Sequence, residues 1–289
     1  MRLVVTGAGG GLGRALMASA PAHHRVHALT HGELDVGDHE AVMRTVPPLR
    51  PEAILHLAAF TDVDGCESDP ARASRDNALG SQHVALAARA CGAILLFVST
   101  DYVFDGSKDA PYDELDQPNP LSVYGRSKLA GERFVRDLVP EHVILRTGQL
   151  FGGGTDYVSG AVARLRAGET VGGIADRVGS PTFVPHLASR ILPLLLTGRF
   201  GTYHLTGSEA TTWCDVLRRA CAIGELPGNV EPQEAASLGL AAPRPANSAL
   251  TSAYLRYLGI EPLPSLDAAI AELLGADALE REPPGPVLR

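Results

Sequence analysis

Tyr124 and Lys128 stand four residues apart in the run Ser122-Val-Tyr-Gly-Arg-Ser-Lys128. On a helix that spacing brings both side chains to one face, about 5–6 Å apart at Cβ, so that an ammonium sits beside a phenol. A free phenol, with a pKa of about 10, is a poor acid or base at neutral pH, and a nearby cation lowers that value by stabilising phenolate. The pair is therefore a device for moving a proton. Taken alone it also describes a half-buried tyrosine beside a solvated lysine. Thr100, which closes the apolar run Phe97-Val-Ser-Thr100, taken alone reads as a strand-end hydroxyl satisfying its own backbone.

The weight of the pair comes from the elements before it. Arg2 to Thr6 reads as a short buried strand and Leu12 to Ala20 as a helix, with Gly7, Gly10 and Gly13 between and at its start. Glycines there let the backbone approach a pyrophosphate, and the helix N-terminus offers amides and a positive dipole end. The spacing is Gly-x-x-Gly-x-x-Gly rather than the usual Gly-x-Gly-x-x-Gly. Further apolar runs at Val26 to Leu29, Ala53 to Ala58, Ile94 to Ser99 and His142 to Arg146 alternate with helical stretches such as Ala78 to Ala90, which stops at Gly92. This rhythm predicts an α/β fold, a doubly wound parallel sheet of Rossmann type with ligands at the carboxyl ends of its strands. After Arg146 the chain turns Gly- and Pro-rich, which predicts a smaller C-terminal substrate-binding portion. We expect a dinucleotide-binding domain over 1–148 with a return segment near 183–207, including a strand at Thr202 to Leu205. The substrate-binding portion then spans 149–182 and 208–280, and residues 281–289 form a disordered tail.

Composition narrows the class. A chain of 289 residues with 45% hydrophobic residues can bury a sizeable core. No apolar run reaches the roughly 18 residues of a spanning helix, and Arg2 leads directly into strand and glycine turn rather than a signal peptide, so a cytoplasmic enzyme is expected. The net charge of −8 argues against nucleic acid as a partner. Cys66, Cys91, Cys214 and Cys221 show no metal spacing, and reduced thiols without a metal site are expected.

Together the motifs resemble the extended short-chain dehydrogenase/reductase superfamily, and within it the dTDP-4-dehydrorhamnose reductase family, over almost the full chain. They are Thr6-Gly-x-x-Gly-x-x-Gly13, Leu34-Asp-Val36, His56-Leu-Ala-Ala-Phe-Thr-Asp-Val-Asp64, Asp76-Asn-Ala78, Ser99-Thr-Asp-Tyr-Val-Phe-Asp-Gly106, the Tyr124/Lys128 pair, Gly179-Ser-Pro-Thr182, Tyr203-His-Leu-Thr206 with Trp213, and Arg244-Pro-Ala-Asn-Ser-Ala-Leu250. The resemblance implies a catalytic set of Thr100, Tyr124 and Lys128 that reduces the 4-keto group of a dTDP-4-keto-6-deoxy sugar, dTDP-4-dehydro-L-rhamnose first among them, in dTDP-rhamnose biosynthesis. It implies cofactor contacts from Gly7, Gly10, Leu12, Gly13, Arg14, His31, Asp35, Val36, Ala58, Ala59, Thr61, Asn77, Ser99, Tyr124 and Lys128. Substrate contacts would come from Val63, Thr100, Asp101, Tyr102, Gln149, Arg244 and Asn247. Thr30-His-Gly after Leu29 leaves no carboxylate at the strand tip to claim an adenosine 2′-hydroxyl, and His31 or Arg14 could meet a 2′-phosphate. NADPH is expected, with NADH accepted.

Departures from the family pattern carry information too. Dehydratases of the superfamily have an acidic pair after the threonine, whereas here Asp101 is followed by Tyr102, which favours reduction over loss of water. Gln149 replaces a family tryptophan expected against the sugar, and Ala15 replaces a glutamate that some relatives use for a magnesium-bridged dimer. No metal and a monomer or weak homodimer are therefore expected. A secondary-metabolite 4-ketoreductase of the streptose type remains an alternative substrate reading. A non-catalytic subunit resembling the methionine adenosyltransferase β subunit is the alternative from a different class, and the intact Thr100, Tyr124 and Lys128 favour an enzyme.

Overall fold

A computed structural model describes residues 1–279; the tail expected over 281–289 lies outside the described residues. Strands β1 (Arg2–Thr6), β2 (Arg25–Leu29), β3 (Ala53–His56), β4 (Ile94–Thr100) and β5 (His142–Thr147), with a sixth strand at Gly201–His204, form one sheet. The order is β2-β1-β3-β4-β5 and then the sixth strand, with every pairing parallel. Each strand is short and mostly apolar because both faces are covered. Side chains alternate between the faces: Leu3, Val5, Leu96, Val143 and Leu145 join one core, while Val4, Leu95, Phe97 and Ile144 join the other. Helices Gly11–Ser19 and Val184–Leu196 cover the first face; His39–Thr45, Gly80–Cys91 and Val123–Leu138 cover the second.

The chain leaves β1 toward β2 on one side and returns to β3 on the other, so the sheet reverses direction between β1 and β3. That reversal opens a crevice at the strand ends. A third core is built wholly from residues after 150. It joins Phe151, Phe183 and Val230 to helices Tyr157–Arg166, Trp213–Gly224 and Leu266–Leu279.

Several element ends lie a residue or two from the sequence reading, and three of these shifts have a local reason. The third apolar run leaves the sheet at His56, since Ala58 must turn to meet Gly7. The first helix starts one residue early at Gly11, on an N-cap glycine with no side-chain cap. The helix expected from Ala78 begins at Gly80, because Ser74–Leu79 winds as a π segment, a device that re-aims side chains near sites. Its end is as expected: Gly92 adopts a left-handed φ of 63° and closes the helix.

Candidate active site

Gly7 follows β1 with φ 72°, and a Cβ on it would lie 2.5 Å from the Ala58 amide nitrogen. Any side chain would push the turn after β1 away from the turn after β3. A Cβ on Gly13 would lie 2.5 Å from the Gly7 carbonyl, so the helix enters close against the same turn. Gly10 accepts from Arg14 N at 2.9 Å, and no side chain caps the helix start. Its first amides therefore face the crevice with the positive dipole end behind them. Arg14 is exposed at the mouth, where its guanidinium donates to the carbonyls of Gly9 and Gly153 at 2.5 and 2.7 Å. Leu12 is buried beneath.

At the tip of β2 the structure adds a residue the sequence reading missed. Glu33 folds back, and one of its oxygens accepts from Thr30 N and Thr30 Oγ1 at 2.8 and 2.7 Å. Hydrogen bonds from Thr30 hold its carboxyl below the usual range. A carboxylate thus stands at the tip of β2 after all, brought there by a turn rather than by the strand, and His31 beside Thr30 in the chain is exposed. Asp35 is an ion-pair partner of Arg75 and accepts from Gly37 N, and Val36 is buried against Gly80. Asn77, on the π segment, brackets the backbone of Phe60, accepting from its N at 2.7 Å and donating to its O at 3.0 Å, and also donates to Ser127 Oγ at 2.9 Å. This holds the segment carrying Ala58, Ala59 and Thr61 against the helix of Tyr124. Ser99 Oγ donates to Glu132 Oε1 at 2.6 Å and so points away from the crevice.

Helix Val123–Leu138 carries Tyr124 and Lys128. Ser122 caps it, accepting from Gly125 N at 3.1 Å, and a Cβ on Gly125 would lie 2.1 Å from the Tyr102 carbonyl. Only glycine lets the helix start so close to the turn after β4, and that closeness sets Tyr124 beside Thr100. Burial pushes the Tyr124 phenol up from its ordinary value, while the nearby Thr100 hydroxyl pulls the other way. Lys128 is 3% exposed and its Nζ lies 4.1 Å from the centre of the Phe97 ring. Among the described residues no carboxylate lies within ion-pair distance of it. Burial lowers its pKa to about 7, with Glu132 pulling the other way. His56 beneath is held neutral, its pKa lowered to about 3 by burial and by Lys128. A buried ammonium that, among the described residues, meets a ring face and a neutral imidazole but no carboxylate is a site prepared for a ligand's hydroxyls or charge.

The far wall comes from the later segments. Arg244 donates to both oxygens of Asp64, at 3.1 and 2.6 Å, and its charge acts on the Tyr102 phenol. Tyr102 meets Tyr124 edge-on, with ring centres 6.2 Å apart. Arg177 also acts on Tyr102, and its Nε is buried without a partner among the described residues. It was not legible as a site residue in the sequence, because nothing local distinguishes it from a loop arginine. Gln149 adopts a left-handed φ of 50° and lays its amide over Gly179, with Oε1 buried and unpartnered among the described residues. Val63 is half-buried at the start of the helix Val63–Ser68. Asn247 is turned to the loop: its amide nitrogen donates to the Lys108 and Ala110 carbonyls and its oxygen accepts from Ala249 N. The structure thus brings Thr100, Asp101, Tyr102, Tyr124, Lys128 and Arg244 together and leaves Asn247 as a brace behind them.

The parallel sheet, the glycine turn at its switch point and the Thr100, Tyr124 and Lys128 set define an extended short-chain dehydrogenase/reductase. The chain belongs to the family described as the RmlD substrate binding domain, whose model matches residues 1–278. It is 39% identical over 99% of its length to a dTDP-4-dehydrorhamnose reductase of Streptomyces griseus, covering 97% of that protein. A dTDP-4-keto-6-deoxy-D-glucose reductase of Streptomyces niveus is 34% identical, with 96% of this chain and 98% of that one aligned. Among solved structures, dTDP-4-dehydrorhamnose reductase from Bacillus anthracis in complex with NADP superposes with a TM-score of 0.92 at 33% identity, over 95% of this chain and 99% of that one.

Proposed function

We propose that the protein is an NADPH-dependent reductase of the 4-keto group of a dTDP-4-keto-6-deoxy sugar, with dTDP-4-dehydro-L-rhamnose giving dTDP-L-rhamnose. The observation that carries the reading is the buried Lys128, with no carboxylate partner among the described residues, one helical turn from Tyr124 and beside the glycine crevice. The crevice fits the cofactor: uncapped helix amides suit the pyrophosphate, and Lys128 suits the nicotinamide ribose. Bound there, the nicotinamide supplies hydride to the carbonyl carbon. Tyr124 gives the proton to the carbonyl oxygen, and Lys128 and Thr100 stabilise the phenolate left behind. The donors bind the oxygen more tightly as it gains charge, so they act on the barrier rather than on substrate binding. Arg177 and Arg244 supply positive charge for the nucleotide diphosphate, and Gln149 meets the sugar with an amide. The later core, built from residues after 150, carries this substrate wall.

The amide at Gln149 and the likeness to a keto-6-deoxyglucose reductase favour one second reading, a 4-ketoreductase of a secondary-metabolite deoxysugar. Incubation with NADPH and a panel of dTDP-4-keto sugars, with products identified by NMR, decides between them. Absence of NADPH oxidation with every member overturns both.

Two predictions belong here. Glu33→Gln removes an exposed negative charge from the 2′-phosphate side, and the NADPH-to-NADH preference in kcat/KM should rise by about two- to fivefold; a fall would place Glu33 away from the adenosine. Lys128→Met should raise the apoprotein's melting temperature at pH 7 by at least about 2 °C while abolishing turnover. The folded-state pKa of Lys128 lies below its unfolded value, so the cost of burying its charge is full below about pH 7 and fades as pH rises toward the unfolded value of 10.5. The stabilisation in the variant should shrink over that window, and a gain that is flat with pH would refute the buried-charge account.

A further inference from the structure

The run Ser99 to Gly106 gives Thr100 and Tyr102 to the site in its first half, and its second half, Phe104-Asp-Gly106, opens the loop after β4. Asp105 holds that loop in shape. Its Oδ1 accepts from Ser107 N at 2.9 Å, Ser107 Oγ at 2.7 Å and the Tyr112 hydroxyl at 3.0 Å, and its Oδ2 accepts from Asn119 Nδ2 at 2.8 Å. The Tyr112 oxygen also accepts from Lys108 N at 3.1 Å, and its ring stacks on Phe104 with centres 4.3 Å apart. An ionised carboxyl has lone pairs for all these donors, and bonds to a charge are the stronger kind. One side chain thus joins both ends of the stretch 105–119.

The loop so shaped is a seat for the segment 244–251. Gly106 takes a left-handed φ of 79°, and a Cβ on it would lie 2.7 Å from Pro245 Cβ and 2.8 Å from Ala246 N, so the two backbones meet at the residue after Arg244. Asn247 Nδ2 donates to the Lys108 and Ala110 carbonyls at 2.8 and 3.2 Å. Tyr112 N donates to the Ala249 carbonyl at 2.8 Å and Thr251 N to the Tyr112 carbonyl at 2.9 Å, a short parallel bridge. On its other side the segment pairs with the residue after Arg177: Val178 N donates to the Ala246 carbonyl at 2.9 Å, and Ser248 N to the Val178 carbonyl at 2.8 Å. Resting on the reductase reading, we infer that Asp105 is a positioning residue for the nucleotide diphosphate: by holding the loop after β4 in shape it fixes the backbone that carries Arg244.

An arginine needs two fixed points to present its charge at one place. Asp64, on the helix Val63–Ser68, grips the guanidinium of Arg244 and so sets its head. The root is set by Pro245 against Gly106 and by Asn247 on the loop carbonyls. Both supports of the root belong to the stretch that Asp105 ties. The same run of chain carries Thr100, so the end of the substrate that receives the proton and the end that meets Arg244 are placed from one short piece of backbone. A shift of the seat moves one end against the other, and small misplacements of a bound group are costly.

The test uses the full chain loaded with NADPH. Asp105→Ala should raise KM for the keto sugar and Kd for dTDP by about tenfold or more, the scale of losing hydrogen bonds to a charged group. Its kcat and NADPH affinity should stay within about threefold of wild type, since binding and not the barrier is touched. Asp105→Asn, which keeps one accepting oxygen, should recover part of the loss. In an Arg244→Met background Asp105→Ala should lose most of its effect on dTDP, because it acts through that arginine; additive losses overturn the inference. So does unchanged dTDP affinity in Asp105→Ala or, if that variant does not fold, in Tyr112→Phe, which keeps the ring stack and removes one donor. A readout without ligand separates this from failure of the reductase reading: in the apoprotein of the variant, amide hydrogen exchange should quicken over 244–251 and not over the glycine turn 7–13. Exchange over 244–251 equal to wild type overturns the inference whichever sugar the enzyme reduces.

Discussion

Turnover of the keto sugar should fall by roughly 10²–10⁴-fold in Tyr124→Phe, with NADPH affinity little changed. The phenol is the group that can release a proton at the developing alkoxide, and Phe keeps its ring packing against Tyr102 while deleting only the hydroxyl. Lys128 remains to hold the ribose in the variant, which is why binding and turnover should separate. The measurement is single-turnover NADPH oxidation alongside a fluorescence titration of NADPH. Activity within tenfold of wild type would remove Tyr124 as the acid; an equal loss of cofactor affinity would make the effect one of binding.

Much of the site was legible because it is local. The Tyr124 to Lys128 spacing needs only a helix, and Gly7, Gly10 and Gly13 need only a strand before and a helix after; all three conditions hold. The sheet was legible for the same reason, since short runs such as Val143 to Leu145, apolar on both faces, have few other places to go. What the sequence hid was made by folding. Glu33 reaches the tip of β2 only through the turn at Thr30, Arg177 reaches Tyr102 across more than seventy residues of chain, and the partners of Glu132 come from two different strands. The turn of Asn247 toward the loop after β4 was hidden likewise, because an asparagine in a binding motif and one bracing a loop look alike until the carbonyls of Lys108 and Ala110 are in place.

Glu132 is where the largest loss of stability is expected. Its side chain is fully buried and holds a two-point pair with Arg146, Nε to Oε1 at 2.9 Å and Nη2 to Oε2 at 2.7 Å, besides accepting from Ser99. Arg146 is 3% exposed, and its other neighbours are the ring of Phe104 and the His204 imidazole, neither of which can neutralise it. Glu132→Ala therefore strands a buried guanidinium and should cost about 3–5 kcal/mol in urea unfolding. Replacing both partners by apolar residues, Glu132→Leu with Arg146→Met, should recover most of that loss, because the penalty belongs to the unpaired charge and not to the missing pair. A loss below about 1 kcal/mol in the single variant would contradict a buried, paired carboxylate. The same change reaches the chemistry: Glu132 is the group that holds the Lys128 pKa up, one turn along the helix. In Glu132→Gln, which keeps an acceptor for Arg146 and folds more readily, the ammonium should lose its proton at lower pH than in wild type. The alkaline loss of NADPH affinity should move down with it, and an unmoved profile would mean that Lys128 takes its charge from the bound cofactor alone.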